Sequence, residues 1–277
     1  MTGTASSSGM QRDRGMQRGE NAPLNHNPNG AVQRHQGKRR NVMAVLTQYL
    51  AERQYSLLIP LYILVLMWLI SVIIVLLMGI KAGLPLPTSI QEGNAVGNVG
   101  SVMSTPYFLV VGGALCVNRQ FNAALSFGST RRDFWIGTTL GFFVTAAASG
   151  IFVDIALLCE KITNHWWLGV HAFDVAILGS GNYILAFLVM FTLTFTSLMI
   201  GATFGTVFRS FGTKALAVSI IATGVVLLAA FAVSIWQSTP ILRLFAEWGV
   251  WTLIAFLGVA SLIMTIAGYC VNQHATI

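Results

Sequence analysis

The residues of this 277-residue chain with the right types for chemistry fall into a few small groups. His165, His171 and Asp174 share one short polar stretch, and a His-x5-His-x2-Asp spacing offers imidazole and carboxylate ligands to a metal ion. The spacing lacks the i, i+4 histidine pair that sets two imidazoles on one helical face, so the expectation is a connecting loop and no metal. Ser149-Gly150 would suit a serine nucleophile. The residues before it are Ala147 and Ala148, however, and no histidine lies inside a later apolar run to act as base. Asp154 stands among apolar residues, where a carboxylate is costly and often functional. At ~1.5 Å per residue from Phe134 it lies roughly 30 Å along a helix, which places it in a water-filled vestibule or at the outer interface. With Thr192 and Thr196 it marks a candidate translocation path, although such threonines also suit hydrogen bonds to their own helix carbonyls. No nucleotide-binding loop occurs. The one Gly-Lys pair, Gly37-Lys38, is followed by Arg39, and no glycine stands at the spacing a phosphate loop requires. The chain therefore reads as a non-enzyme with no cofactor of its own.

A different kind of signal comes from Arg119 to Phe134, RQFNAALSFGSTRRDF, a polar and basic break between two long apolar runs. Phe121, Ala124 and Leu125 recur at i, i+3, i+4 spacing, which predicts a helical face patterned to dock against something. Gly128 is placed to stop that helix in a left-handed conformation. Thr130-Arg131-Arg132-Asp133 is a capping-box pattern, with Thr130 capping a new helix and Asp133 reaching back to it.

The elements that position these groups follow from composition. Hydrophobic residues make up 55% of the chain and charged residues 9%, against about 25% charged in soluble domains. This excludes a soluble globular protein and favours an all-α membrane protein in the cytoplasmic membrane. Six spans are expected near 57–80, 100–117, 134–158, 183–205, 215–236 and 249–270, each close to or above the ~20 residues needed to cross hydrocarbon. Residues 1–40, rich in Ser, Gly, Asn, Gln and Arg, read as a disordered basic tail, and 41–277 as the membrane domain. Val42, Val45, Leu46, Tyr49 and Leu50 recur at helical spacing and predict an amphipathic helix lying flat on the inner membrane surface. Gly137-x3-Gly141 and Gly201-x3-Gly205 predict smooth faces for close helix packing.

Charge placement sets the orientation. Eight basic residues precede Leu57, three lie between Arg119 and Arg132, and two more are Arg209 and Lys214; Lys81, Lys161 and Arg243 fall on the other side. The positive-inside rule then places both termini in the cytoplasm. The net charge of +7 sits at the edges of apolar runs rather than in a basic face interleaved with aromatics, so nucleic acid is not an expected partner. Trp166, Trp167, Trp236, Trp248 and Trp251 are expected in the outer interfacial belt. The cysteines Cys116, Cys159 and Cys270 carry no metal-ligand spacing and read as small apolar residues.

Taken together, the six spans, the N-terminal surface helix, the absence of an ATPase motif and the loop FNAALSFGSTRRDF resemble an ABC-2-type transporter permease, in particular exporter permeases of Gram-positive bacteria. The resemblance covers roughly Val42 to Cys270, and the loop is its most specific part. It implies that Phe121, Ala124, Leu125, Gly128, Thr130, Arg131, Arg132 and Asp133 form a loop coupling the permease to separate ATPase subunits, which bind the ATP and Mg. It also implies a second permease subunit, identical or paralogous, enclosing a path between the two. The alternative is a non-transporting sensor or immunity protein that uses the same scaffold to bind a partner.

Overall fold

Backbone N–H and C=O groups that enter lipid must be satisfied internally, and helices do this within one segment. The structure, a computed structural model, describes residues 42–51, 58–83, 99–126, 128–236 and 248–274. These belong to one compact unit, Arg40–Ile277, and contain helices and helical turns with no strand. The expected basic tail, residues 84–98 between the first two expected spans, and the Arg243 segment lie outside the described residues.

The helices are α1 (Val42–Ala51), α2 (Ile59–Ala82), α3 (Val99–Ser126), α4 (Arg131–Ile162), α5 (Tyr183–Trp236) and α6 (Val250–His274). Five of them, α2 to α6, are long and apolar enough to cross a membrane. Their limits have local causes. Pro60 opens α2, and Gly83 closes it at φ 84° with its N–H on the Gly79 carbonyl. Asn182 starts α5 by accepting the Ile184 and Leu185 amides on its Oδ1. The 54 residues of α5 would make a rod of about 81 Å if straight. Gly212, at φ 78° and ψ −175°, breaks it into two segments, a conformation that glycine adopts without the steric cost of a Cβ.

The first segment of α5 is the centre of the bundle, with α3, α4 and α6 packed on it and α2 on α3. The approach of α3 is set by glycine, as the small-residue spacing predicts. A Cβ on Gly201 would overlap the Val110 carbonyl, and one on Gly205 would lie 2.9 Å from the Ala114 Cα. Gly113 completes the contact from the α3 side, against the Leu198 carbonyl. On the opposite flank α6 runs in the same direction as α5. The Thr196 hydroxyl donates to the Leu257 carbonyl at 3.1 Å, and the Thr203 hydroxyl to the Met264 carbonyl at 3.0 Å.

The smooth face of α4 corrects one expectation. The Gly137–Gly141 notch receives α1, the close helix packing its spacing predicts, and it is the flat position of α1 that is corrected. A Cβ on Gly137 would lie 2.7 Å from the Val45 Cβ, and one on Gly141 would lie 2.5 Å from the Tyr49 ring. Tyr49 also shares a 2.9 Å hydrogen bond with Thr145. Successive turns of α1 therefore meet successive turns of α4, and Val45 and Tyr49 are buried. The apolar face that periodicity assigned to a flat position on lipid is used against the bundle instead. Of the tryptophans expected at the outer interface, Trp166 packs against Trp68 at 4.9 Å between ring centroids, whereas Trp167, Trp248 and Trp251 are exposed.

If α3 and α5 touch backbone to backbone, Gly201→Leu should lower the melting temperature of the detergent-purified chain beyond what the ~1–3 kcal/mol typical of overpacking would produce. Gly224→Leu is the control, since a Cβ there meets nothing within 4 Å. Equal melting temperatures for the two variants would refute the contact.

Candidate functional site

The stretch from Arg119 is continuous with the helix before it: α3 runs unbroken to Ser126, well past the expected end near residue 117. The stop and restart follow the sequence expectation. Gly128 sits at φ 79°, its N–H on the Leu125 carbonyl at 2.9 Å, and the Ser129 N–H reaches the Ala124 carbonyl at 3.1 Å. This satisfies carbonyls that the end of a helix leaves open. Thr130 then caps α4. Its hydroxyl accepts the Asp133 amide at 3.1 Å and donates to the Asp133 carboxylate at 2.8 Å.

The docking face points the other way from expectation. Phe121 and Ala124 are buried within the chain itself, and Leu125 packs at the edge of the same core. Phe121 meets Phe134 edge-on at 5.2 Å, and the guanidinium carbon of Arg209 lies 3.4 Å from the centroid of the Phe121 ring. Arg209 also donates to Asn272 Oδ1 at 2.8 Å, and Asn272 Nδ2 donates to the Arg131 carbonyl at 2.9 Å. The Trp135 indole adds a bond to the Thr265 carbonyl at 3.2 Å. The ends of α3, α4, α5 and α6 are thus joined in one network. Arg209 and Asn272 were not candidates in the sequence, where Arg209 read as an orientation charge and Asn272 lay beyond the last expected span. Among the described residues of the loop, Asn122, Ser126, Gly128, Thr130 and Arg132 are exposed, and beside Arg209 so are Phe208 and Phe211 of α5.

At the far end of α4 the structure brings His165 and His171 together, with ring centroids 3.9 Å apart. Their third neighbour is Glu160, which the sequence reading missed, rather than the Asp174 side chain. Glu160 is 0% exposed. Its Oε2 accepts the Phe173 amide at 2.8 Å, its Oε1 accepts the Asp174 amide at 3.3 Å, and His165 Nδ1 stands 3.4 Å from Oε1. The chain folds back over the helix end because Asn164, His165, Trp166 and Trp167 all adopt positive φ, between 50° and 60°. Burial, aided by the neighbouring His165, holds the His171 pKa below its ordinary value, with Asp174 opposing. The signal available in the sequence was a carboxylate ending an apolar run just before two histidines.

The proposed path residues are dispersed. Asp154 is part-buried on α4, and its Oδ1 has no hydrogen-bond partner among the described residues. Thr192 bonds the Leu188 carbonyl of its own helix, while Thr196 is used on α6. A cavity of about 380 Å³ is lined by, among others, Tyr49, Phe108, Cys116, Arg119 and Gln120, at the small end of the range for small-molecule sites. Neither it nor the 190 Å³ cavity beside Thr145 and Ser149 is lined by Asp154, Thr192 or Thr196. Comparison with protein families, curated proteins and solved structures finds no match to the chain.

Thr130→Ala removes the cap at the start of α4 and should destabilise by ~1 kcal/mol. Hydrogen exchange at the amides of residues 131–134 reads this directly. Protection there equal to wild type would mean that the hydroxyl contributes nothing to holding the helix end.

Proposed function

We propose that the chain is the membrane-spanning permease subunit of an ABC transporter, an exporter in the cytoplasmic membrane, driven by separately encoded ATPase chains. The observation that carries this reading is the four-helix corner around Arg209. A permease must turn a push on its cytoplasmic loop into movement of spans, and a loop joined to four helix ends moves none of them alone. The exposed strip from Asn122 through Arg132 supplies the surface for the ATPase. Phe121, Ala124 and Leu125 act behind it, passing the contact into the core. Gly128, Thr130 and Asp133 fix the turn, while Arg131 and Arg132 lie where anionic headgroups or an acidic partner would meet them. ATP and Mg belong to the partner. The cavity beside Arg119 is of a size for a small amphipathic cargo.

In this reading the chain crosses six times with both ends in the cytoplasm, and two such subunits enclose the path. The direction shared by α6 and the first segment of α5 supports six crossings, because the chain between them must return. The 24 residues after Gly212, about 36 Å of helix, supply the length. Cysteines introduced near Asn164 and Ser238 should then label from outside, and those near Ser129 and Ser210 should not. Labelling at Ser129 from outside would overturn the orientation.

Coupling is tested at the strip rather than at the buried face, where a change such as Leu125→Asp would damage the fold as well as any docking. Arg132→Glu paired with Asn122→Asp should leave the permease in the membrane and lower ATPase recovery in pull-down about tenfold or more, as expected for the loss of ~1.4 kcal/mol of binding. Normal recovery with normal substrate-stimulated hydrolysis would reject the site. Normal recovery without any transport by the wild-type complex would favour the sensor or immunity reading instead.

A further inference from the structure

A hydrogen bond between an ionised carboxylate and an imidazolium closes to about 2.7–2.9 Å, but His165 Nδ1 and Glu160 Oε1 stand 3.4 Å apart. That separation is poor for a charge-assisted bond and suits two ligands of one ion. Around a tetrahedral zinc with bonds of about 2.0–2.1 Å, neighbouring ligand atoms lie about 3.3 Å from each other. His171 can supply the third ligand once the side chains close in: one ligand atom from each of Glu160, His165 and His171 falls within 4.8 Å of the others, against about 3.3 Å around a bound zinc. We propose that Glu160, His165 and His171 form a binding site for a divalent transition-metal ion of the zinc class, at the end of α4 remote from Arg131.

The chemistry of the set selects the ion. Two imidazoles and one carboxylate suit zinc and its first-row neighbours. Calcium takes six or more oxygens and magnesium holds an octahedron of oxygen ligands, whereas one carboxylate is offered here. The carboxylate is already oriented, since the Phe173 and Asp174 amides hold its two oxygens as outer-shell donors hold a metal ligand. Three protein ligands leave a fourth position open to water or to another donor.

Backbone geometry points the same way. Four consecutive non-glycine residues in the left-handed region carry conformational strain, and such strain persists where the surroundings over-determine it. Here it is what swings His165 over the helix end. An ion joining α4 to both histidines would hold this reversal in place, together with Trp166 on the Trp68 ring of α2. The site would therefore act as a cation-dependent clamp between two spans and their connection.

The test uses the full-length chain in mild detergent, with any affinity tag removed and metals stripped by chelation. Titration with Zn²⁺ should show one ion per chain at micromolar affinity and raise the melting temperature, while Ca²⁺ does neither. His165→Gln and His171→Gln should each weaken Zn²⁺ binding by about 100-fold or more, at least the loss seen for outer-shell changes at metal sites. His26→Gln with His35→Gln should leave it unchanged. Absence of one-to-one Zn²⁺ binding in the wild-type chain overturns the site, as does binding that survives both loop-histidine variants. Should those variants fail to elute like wild type, His171→Cys decides. With Co²⁺ as probe it should retain binding and gain a thiolate-to-cobalt charge-transfer band, and a spectrum without that band overturns the assignment. None of these readouts depends on the ATPase-coupled reading.

Discussion

A guanidinium partly withdrawn from water must recover its solvation from whatever surrounds it, and Arg209 recovers part of it from the neighbouring helices, while its Nη1 has no hydrogen-bond partner among the described residues. It rests on the Phe121 ring of α3 and donates to Asn272 of α6, and Asn272 in turn holds the first carbonyl of α4. Removing Phe121 or Asn272 would take away part of what replaces water around this part-buried charge, which costs more than losing a contact between neutral groups. The four helix ends are therefore interdependent, and the arrangement is specific in a way that packing of Leu and Val alone would not be. The close approach of α3 to α5 at Gly201 and Gly205 acts in the same sense, since backbones in contact leave no slack to absorb a shift.

The parts of this fold that are local could be read in the sequence. Thr130 and Asp133 cap a helix because a hydroxyl and a carboxylate three residues apart meet one helix start, and Gly128 ends the preceding helix because only the chain immediately before it matters. Apolar runs of span length likewise state their own secondary structure. Periodicity, however, reports that an apolar face exists and says nothing of what covers it. Phe121 and Ala124 have the spacing of a docking face and are covered by the chain's own α4 and α5; Val45 and Tyr49 have the spacing of a lipid-surface helix and are covered by α4.

Glu160 escaped for a related reason. Its partners are brought to it by a chain reversal in which Trp166 and Trp167 take a backbone region that bulky residues seldom occupy, although Asn164 and His165 are of types that enter it more readily. The two ends of α4 consequently differ in kind. The Arg131 end is organised by a cap that any reader of local patterns would find, and the Ile162 end by strain and burial that appear only in three dimensions.

The notch at Gly137 and Gly141 bears on the order in which the protein can be assembled. Tyr49 and Thr145 are separated by 96 positions in the chain, so α1 leaves the ribosome well before the helix that carries its seat. Until α4 is made, the Val45 and Tyr49 face cannot take its place in the notch. The small side chains of α4 therefore set an order on assembly, with the seat arriving after the element that fills it.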